Sequence, residues 1–453
     1  MKHHILCRLA VAAVLSAGTG IADYTPPGSP AAGGIADLAL IYQGGYNKID
    51  WNQQHFAPYL TWTNPVTRGE EWLFDGFLFL ELYSGNEFVF ASLYLDPYSR
   101  YATKADLQWW INNRVFVKGK GIDALDKALG AVIQRIGPPP RPRKVVLMVG
   151  DAPILKDLSG ALIADTKYWG ELNGNVLDFK NVPDRVAACK WYIDQLLARW
   201  NAEAYQNLEL AGFYMLSELI CWYPFPIGSL TDRYAADKIL NQELGNYVRS
   251  LGKRWYWIPA WGSSVTTWKN YGFDVAYQQP NHFFSTSVPD SRLTDACNLA
   301  KSLGMGLEME WDVRVFTSTQ TFAPRMSAYL DYFAQHGVWG GAAVAHFMDG
   351  GPNPAGFGMT GLSQSTDPQI VALYRRYCSI IAGRQGPHPT PPPLPTVPII
   401  KASAANILID TRPYLRDLSK DALVDARLYL RLNSPPYAKI DTLTKPGMLL
   451  LVQ

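Results

Sequence analysis

Carboxylic acids lie at the ends of two separate strand-like segments of this sequence. Glu218 follows the apolar run of residues 212–217, and Glu308 and Glu310 lie within residues 306–312. A carboxylate buried among apolar residues is costly unless it is paired or used in chemistry. Two acids that flank one bond are the equipment of glycoside hydrolysis. The pattern therefore predicts a two-carboxylate, sugar-cleaving site, provided that the fold brings the two segments together.

The elements that would position these acids alternate regularly between strand and helix. Apolar strand-like runs occupy residues 36–42, 75–81, 143–149, 208–214, 254–260, 273–278, 305–310 and 341–347. Amphipathic helical stretches fall between most of them, at residues 53–60, from Thr103, and at 121–136, 186–200, 232–251, 291–303, 323–335 and 367–381. Eight such units predict an α/β fold, a (β/α)8 TIM barrel over residues 36–385. A doubly wound open sheet is the main alternative, but no Gly-rich phosphate fingerprint follows the first strand.

The ends of the chain have a different composition. Lys2 precedes an apolar stretch at residues 5–17 and small residues at 18–22, a pattern typical of a secretory signal peptide over residues 1–22. We therefore expect a secreted or periplasmic protein whose residues 23–35 form a flexible leader. Residues 386–398 are Pro-rich and predict an extended linker. The last segment, 399–453, predicts a small β-rich extension, with strand-like pieces at 407–410, 426–432 and 448–452.

Composition excludes several classes of partner. The chain has 453 residues, a net charge of +2 and 48% hydrophobic residues, which suits a large buried core and indicates no nucleic-acid partner. No segment beyond the signal peptide is apolar enough to span a bilayer. Four cysteines outside the signal peptide, Cys189, Cys221, Cys297 and Cys378, show no paired spacing, so we expect no metal and no cofactor, while disulfides and free thiols both stay open.

Barrel geometry ranks the acids. Catalytic groups gather at the carboxyl ends of barrel strands, and side chains alternate inward and outward. Glu308, Glu310 and Asp312 share one face of the seventh strand, and Glu310 lies nearer the strand end than Glu308. Glu308 could instead be a structural acid held by an Arg or a Tyr. Glu218 could instead be an acid at the start of a helix near Leu219.

Further polar and aromatic side chains end other strands. Together they would surround the barrel mouth with hydrogen-bonding groups and flat rings, as a hydroxyl-rich ligand requires. These predicted substrate-binding residues are Gln43, Tyr46, Asn47, Glu81, Asp151, Tyr214, Trp222, Trp261, Gln278, Gln279, Asn281, Asp312 and His346. His346 with Asp349 has neither metal-ligand spacing nor an accompanying nucleophile motif, which excludes a metal or Ser-His-Asp site there.

Five segments resemble one family, the bacterial domain of unknown function 4855, over roughly residues 36–382. They are residues 40–44 (LIYQG), 75–81 (DGFLFLE), 212–218 (GFYMLSE), 274–281 (DVAYQQPN) and 306–310 (GLEME). The resemblance implies a secreted bacterial protein with a glycoside-hydrolase-like barrel, and it implies no particular activity.

A looser resemblance is to the large clan of retaining glycosidases with (β/α)8 barrels. That clan has an acid/base Glu after the fourth strand and a nucleophile Glu at the end of the seventh, which correspond here to Glu218 and to Glu310 or Glu308. The clan usually has Asn before the first Glu, whereas Ser217 stands here.

Three functions are compatible with these observations. The leading one is a secreted glycoside hydrolase that acts on a poly- or oligosaccharide by a retaining mechanism, with Glu218 as acid/base and Glu310 as nucleophile. A non-catalytic glycan-binding barrel is the second. The third is a non-hydrolytic carbohydrate enzyme, such as a polysaccharide lyase with Tyr214 or His346 as base.

Overall fold

The structure is a computed structural model, and it divides into two units, Met1–His388 and Pro389–Gln453. At residues 230–235, 349, 407–409 and 450–452 it describes the backbone alone. The residues that it describes are 23–46, 48–91, 100–152, 166–220, 230–263, 265–349, 358–386, 407–409 and 450–452. The predicted signal peptide therefore lies outside the described residues.

Eight parallel strands close into a barrel in the first unit. In chain order they are Asp37–Tyr42, Gly76–Leu80, Arg143–Val149, Leu208–Met215, Arg254–Trp257, Val275–Gln278, Gly306–Asp312 and Val344–Asp349. The first strand pairs with both the second and the eighth, through Leu38 opposite Gly76 and Asp37 opposite Val344. Every strand is thus paired on both edges, which confirms the (β/α)8 barrel and excludes the open sheet.

The sequence of the strands explains their place in the molecule. All residues of the first strand and of Gly76–Leu80 are buried, as expected for parallel strands that are covered on both faces. A bulge between Leu210 and Gly212 shifts the register of the fourth strand against the third. Gly212 is needed at this point, because a Cβ atom there would lie 2.0 Å from the carbonyl oxygen of Arg254.

Helices surround the barrel and agree with the predicted alternation. The longer ones are Gln53–Leu60, Lys104–Trp110, Gly121–Ile136, Val182–Glu203, Leu230–Ser250, Ser291–Leu303, Thr319–Gln335 and Pro368–Gly383, and the shorter ones are Arg314–Thr317, Val338–Gly341 and Gly358–Gln364. Thr103 and Asp106 form a capping box, in which each side chain accepts a hydrogen bond from the other's backbone amide. Pro183 lies in the first helical turn, where its missing amide hydrogen costs nothing.

Small elements fill the loops. Thr61–Thr63 pairs with Glu70–Trp72, Phe88–Val89 with Arg100–Tyr101, and Glu171–Leu172 with Asn175–Val176. A π-helical turn, Ile111–Val115, extends the second helix, and 3-10 turns occur at Pro30–Ala32 and Val265–Tyr271.

Residues 23–35 are packed against the barrel, where the sequence predicted a flexible leader. Tyr24 and Ile35 are buried. The Thr25 amide donates to the carbonyl of Met305 at 3.1 Å, and the Ala343 amide donates to the carbonyl of Thr25 at 2.8 Å. The prediction of a flexible leader from small residues and prolines was wrong. The backbone groups of this segment form hydrogen bonds with the loops that precede two barrel strands.

A buried ionic cluster closes the barrel at the amino-terminal ends of its strands. Asp37 accepts hydrogen bonds from Arg384 Nε at 2.9 Å and forms a 3.0 Å contact with His346 Nε2. Arg384 also donates to the carbonyls of Ala36 at 3.0 Å and Ala342 at 2.8 Å. Burial alone would raise the pKa of Asp37, but Arg384 and His346 outweigh it and hold that pKa below its usual range. The cluster joins the first strand, the eighth strand and the end of the last helix.

Little of the second unit is described. Ile407–Ile409 and Leu450–Val452 form an antiparallel pair, where strand-like pieces were expected. The expected strand at 426–432 and the Pro-rich linker beyond Gly386 lie outside the described residues.

Candidate active site

One cavity at the carboxyl ends of the strands collects the acids. Its volume is about 500 Å³, counted out to its opening. Glu218, Glu308 and Glu310 all line it. The other described residues of its wall are Leu40, Tyr42, Leu80, Leu82, Tyr214, Leu216, Ile258, Gln279, Asn281, Phe284 and Phe347. The fold therefore brings together the two acidic segments that the sequence singled out.

Glu218 comes into the cavity because the fourth strand remains extended past its last ladder residue. Tyr214, Leu216 and Glu218 all line the cavity, as alternation along a strand requires. The Leu216 amide donates to the carbonyl of Val149 at 3.0 Å, and the Ala260 amide donates to the carbonyl of Glu218 at 3.3 Å. Glu218 is therefore fixed between the ends of the third and fifth strands.

Glu310 is fully buried and both of its carboxylate oxygens accept hydrogen bonds. Oε1 accepts from the Asn281 amide at 3.1 Å, and Oε2 accepts from the His282 amide at 3.2 Å and from the Tyr329 hydroxyl. Burial raises the pKa of Glu310, the three donors oppose that rise, and repulsion from Glu218 adds to it, which places the pKa at about 7. The three hydrogen bonds thus stabilise the carboxylate form of Glu310 at a buried position that would otherwise disfavour a negative charge.

Glu308 differs from its neighbour on the same strand. Its exposed fraction is 3%, and among the residues that the structure describes it has no hydrogen-bonding partner. Burial, followed by repulsion from Glu310 and Glu218, raises its pKa well above the usual range. No described Arg or Tyr bonds to Glu308, so the structural pairing suggested by the sequence is not found. Tyr329 donates to Glu310 instead.

Tyr214 on the fourth strand faces Glu308 and is, like it, buried without a described hydrogen-bonding partner. It is 2% exposed, lines the cavity, and makes no hydrogen bond with any described residue. Burial raises the pKa of its hydroxyl well above the usual range, and Glu218 and Glu308 raise it further. Its hydroxyl is a hydrogen-bonding group that a ligand could use.

The segment after the sixth strand holds the acidic wall in place. Asn281 has a φ of 48°, in the left-handed region, which turns its own amide and the next one toward Glu310. Its side-chain oxygen accepts from the Trp261 amide at 2.6 Å, and its Nδ2 donates to Gln279 at 3.2 Å. Trp261 itself packs under Arg292, with 4.5 Å between the guanidinium and the ring, and does not line the cavity.

Asp312 was expected in the mouth and lies outside the cavity. Its carboxylate forms a bidentate pair with Arg314, at 2.7 Å and 2.9 Å. That pair holds the guanidinium 4.4 Å from the ring of Phe322. The acid therefore neutralises a local cation and does not face a ligand.

The structure places several other predicted binding residues away from the cavity. His346 is fully buried between Asp37 and the Tyr377 hydroxyl, which lies 2.7 Å from Nδ1. Glu81 accepts from the amides of Gly45 and Leu82, and Gln43 donates to the carbonyl of Val115 at 3.1 Å. Each of these three side chains is next in sequence to a residue that does line the cavity, so alternation along the strand turns them away from it.

The remaining predicted residues have varied positions. Gln278 donates to the carbonyl of Gln279 at 2.9 Å within the wall, Tyr46 is 65% exposed, and Asp151 lines a separate cavity beside Tyr168 and Cys189. Asn47 and Trp222 lie outside the described residues.

Sequence reasoning missed four residues that the site uses: Tyr42, Phe284 and Phe347, which line the cavity, and Tyr329, which bonds Glu310. Tyr42 and Phe347 are in predicted strands, but alternation alone does not show which face of such a strand turns inward. Tyr329 comes from a helix, and its contact depends on tertiary packing alone.

Within the described part of the chain, no group of three His, Cys, Asp or Glu side chains is arranged to hold a metal ion. Cys189, Cys297 and Cys378 are buried free thiols. None of the described helices is long and apolar enough to cross a membrane.

The fold and the cavity define a (β/α)8-barrel protein with an acidic cavity at the carboxyl ends of its strands. The chain belongs to the family described as domain of unknown function (DUF4855), whose model matches residues 37–379. A search among proteins with curated descriptions gave no match.

Solved structures with a similar fold are distant. The tryptophan synthase complex of Pyrococcus furiosus is 10% identical, with 79% of this chain and 99% of that chain covered and a TM-score of 0.30. A D-psicose 3-epimerase is 12% identical, with 77% and 99% covered and a TM-score of 0.33. An endo-β-mannanase/endo-β-glucanase of Prevotella bryantii is 13% identical, with 79% and 50% covered and a TM-score of 0.35. Similarity at this level says nothing about what this chain acts on.

Proposed function

We propose that this protein is a glycoside hydrolase. The observation that carries the proposal is that Glu218 from the fourth strand and Glu310 from the seventh line one cavity at the carboxyl ends of the strands. Hydrolysis of a glycosidic bond needs two carboxyl groups that reach the bond from different sides. Opposite strands of a closed barrel supply that arrangement, while the leucines and aromatic rings of the wall suit the apolar faces of sugar rings.

The environments of the acids favour different roles. Three donors stabilise the Glu310 carboxylate, so Glu310 serves as the nucleophile. Its Oε1 accepts one hydrogen bond and Oε2 accepts two, which leaves Oε1 the freer oxygen to attack the anomeric carbon. Glu218 is less buried and donates its proton to the glycosidic oxygen as the bond breaks.

The second half of the reaction restores both groups. A water molecule attacks the anomeric carbon of the glycosyl ester, the Glu218 carboxylate accepts a proton from that water, and the Glu310 carboxylate leaves. Glu308 remains protonated beside them as long as no cation enters the cavity, because a further negative charge would be opposed by both neighbours. Glu308 therefore limits the charge of the cavity during the reaction.

The experiment is a screen of the purified protein against bacterial and plant polysaccharides, with product analysis by mass spectrometry. Glu218→Gln and Glu310→Gln keep the side-chain shape and should each lower turnover by about a hundredfold or more. Glu171→Gln, at an exposed acid far along the chain from these residues, is the matched control and should keep full turnover. Saccharide binding without turnover of any substrate would show a glycan-binding barrel and refute the hydrolase.

Export is a separate part of the proposal. It rests on Lys2, the apolar stretch at residues 5–17 and the small residues that precede Asp23. Sequencing of the amino terminus of the protein from its native source should give a start near Asp23. A native protein that retains Met1 would refute export by this signal.

A further inference from the structure

The described residues that line the cavity include acidic side chains but no basic ones. Three glutamates line it, and none of its described lining residues is Lys, Arg or His. Lys48 lies 4.8 Å from the ring centroid of Tyr42 and is not among the lining residues. Arg314 is already paired with Asp312. None of the described residues that line the cavity therefore brings a cation to Glu308 or Glu310.

Two polar side chains on opposite walls of the cavity have no hydrogen-bonding partner among the described residues. Glu308 on the seventh strand and Tyr214 on the fourth are 97% or more buried, at 3% and 2% exposed, and neither bonds to any described residue. Buried polar groups normally find a partner, because the lost hydration costs about 1–3 kcal/mol per group. Tyr214 is not a carboxylic acid, so its lack of a described hydrogen-bonding partner does not follow from the cluster of glutamates. Both groups point into a space that a ligand can enter.

We propose that this cavity binds an amino sugar, and that Glu308 and Tyr214 receive its free ammonium group. The proposal rests on the proposed function insofar as the amino sugar is part of a cleavable substrate. An ammonium group has three donors and a positive charge, which match a carboxylate, a tyrosine oxygen and a neighbouring glutamate. Leu40, Leu80 and Leu82 then cover the ring carbons.

The chemistry discriminates among sugars. An N-acetyl group is neutral and bulkier, and it brings no positive charge that could replace the proton of Glu308. A uronate would add a fourth carboxylate and be repelled. A neutral sugar would satisfy the hydroxyl of Tyr214 but would bring no positive charge to Glu308. The cavity should therefore rank amines above neutral sugars and both above uronates.

Binding should also move a proton. The ionisable groups that face Glu308 are Glu310 on its own strand, Glu218 and Tyr214 on the fourth strand, and Tyr329 on the helix Thr319–Gln335. None of them carries a positive charge, and burial and the two glutamates oppose a further negative charge, so Glu308 holds its proton while the cavity is empty. An arriving ammonium replaces that proton, and Glu308 becomes a carboxylate. Amine binding at neutral pH should therefore release up to about one proton per ligand.

The test is titration calorimetry at pH 7 in two buffers with different ionisation enthalpies. The probes are tetrasaccharides of glucosamine and of galactosamine, compared with their N-acetylated forms and with cellotetraose, and the free monosaccharides serve as ligands that cannot be cleaved. We expect at least one amine series to bind about tenfold or more tightly than its N-acetylated and neutral counterparts, with a buffer-dependent heat that reports proton release.

Variants link the effect to the two residues. Glu308→Gln should abolish the amine preference and the proton release, and Tyr214→Phe should reduce the affinity for the amine about tenfold. Glu171→Gln should match wild type. The wild-type proton release and the Tyr214→Phe result stand even where Glu308→Gln fails to fold.

The outcomes separate this inference from the hydrolase proposal. Equal or weaker binding of amines, binding without proton release, or no binding of either amine series overturns the inference. Cleavage of a neutral polysaccharide that depends on Glu218 and Glu310, without preference for amines, overturns the inference and leaves the hydrolase standing. Preferential amine binding with no cleavage of any substrate supports the inference and overturns the hydrolase proposal.

Discussion

Glu308 and Glu310 lie two residues apart on one strand and line the same cavity, yet only Glu310 has hydrogen-bond donors. The Asn281 and His282 amides and the Tyr329 hydroxyl all point to Glu310, whereas no described residue bonds Glu308. Two identical side chains are therefore prepared for opposite protonation states by their partners alone. Such separation of neighbouring acids is a common means of assigning acid and base roles.

Replacing each acid by methionine should have opposite effects on stability. Glu308→Met removes a buried carboxyl that has no described partner, so we expect the free energy of unfolding to rise by about 1–2 kcal/mol. Glu310→Met leaves two amides and a hydroxyl without an acceptor, so we expect it to fall by about 3 kcal/mol or more. Urea unfolding at pH 7 measures both. Equal destabilisation by the two variants would show that Glu308 has a stabilising partner.

Ionisation of Glu310 should weaken the folded state as pH rises. The pKa of Glu310 is about 7 in the folded protein against an ordinary value of 4.5, so between these values the folded state holds a proton that the unfolded chain releases. The contribution to stability is complete below about pH 4.5 and is lost by about pH 7, a change of about 3 kcal/mol.

The measurement compares wild type with Glu310→Gln, which cannot ionise, so that other titrating groups cancel. The difference in free energy of unfolding between the two proteins should shift in favour of the variant from about pH 5 to about pH 8. A difference that stays constant over this range would contradict the raised pKa.

The hydrogen bond from Tyr329 to Glu310 should determine the pH below which kcat/KM falls. Its hydroxyl donates to Glu310 and lowers the pKa of that carboxyl, so Tyr329→Phe should raise that pKa above about 7. The acid limb of kcat/KM should move to higher pH, with a larger loss at pH 6 than at pH 8. Carbon NMR of the glutamate carboxyl groups gives the same pKa without a substrate. Tyr332→Phe, on the same helix and part-exposed, should change neither reading.

Arg384 should contribute far more to stability than a surface arginine. Arg384→Met leaves Asp37 buried beside His346 without its main counter-charge, which should cost about 3–5 kcal/mol at neutral pH. Because the folded-state pKa of Asp37 is lowered, this contribution should fade as the solution is acidified. The control is Arg376→Met, whose pair with Asp331 is 40% and 50% exposed and should cost less than about 1 kcal/mol. Similar losses for the two variants would refute the role of the cluster.

The barrel and the two acidic strands could be predicted because they depend on local periodicity. Gly121–Ile136 and Ser291–Leu303 begin and end where the apolar pattern placed them. What could not be predicted is which face of a fully buried strand turns inward. Parallel strands are apolar on both faces, so His346 and Glu81 could not be told from their inward neighbours Phe347 and Leu82.

The partners of Glu310 were beyond the sequence for a different reason. Two of them are backbone amides that only the left-handed conformation of Asn281 directs to the carboxylate, and the third belongs to a helix that packs from outside the barrel. Neither an unusual φ at a non-glycine residue nor the rotation of a helix about its axis leaves a periodic signal.

Both described ends of the first unit leave the barrel on the same side. Residues 23–36 and Arg384 bond one another and the loops that precede the strands, whereas the acidic cavity opens at the opposite ends of those strands. A label or a cross-link attached directly at Asp23 or at Gly386 would therefore sit at the base of the barrel, away from the mouth through which a ligand enters.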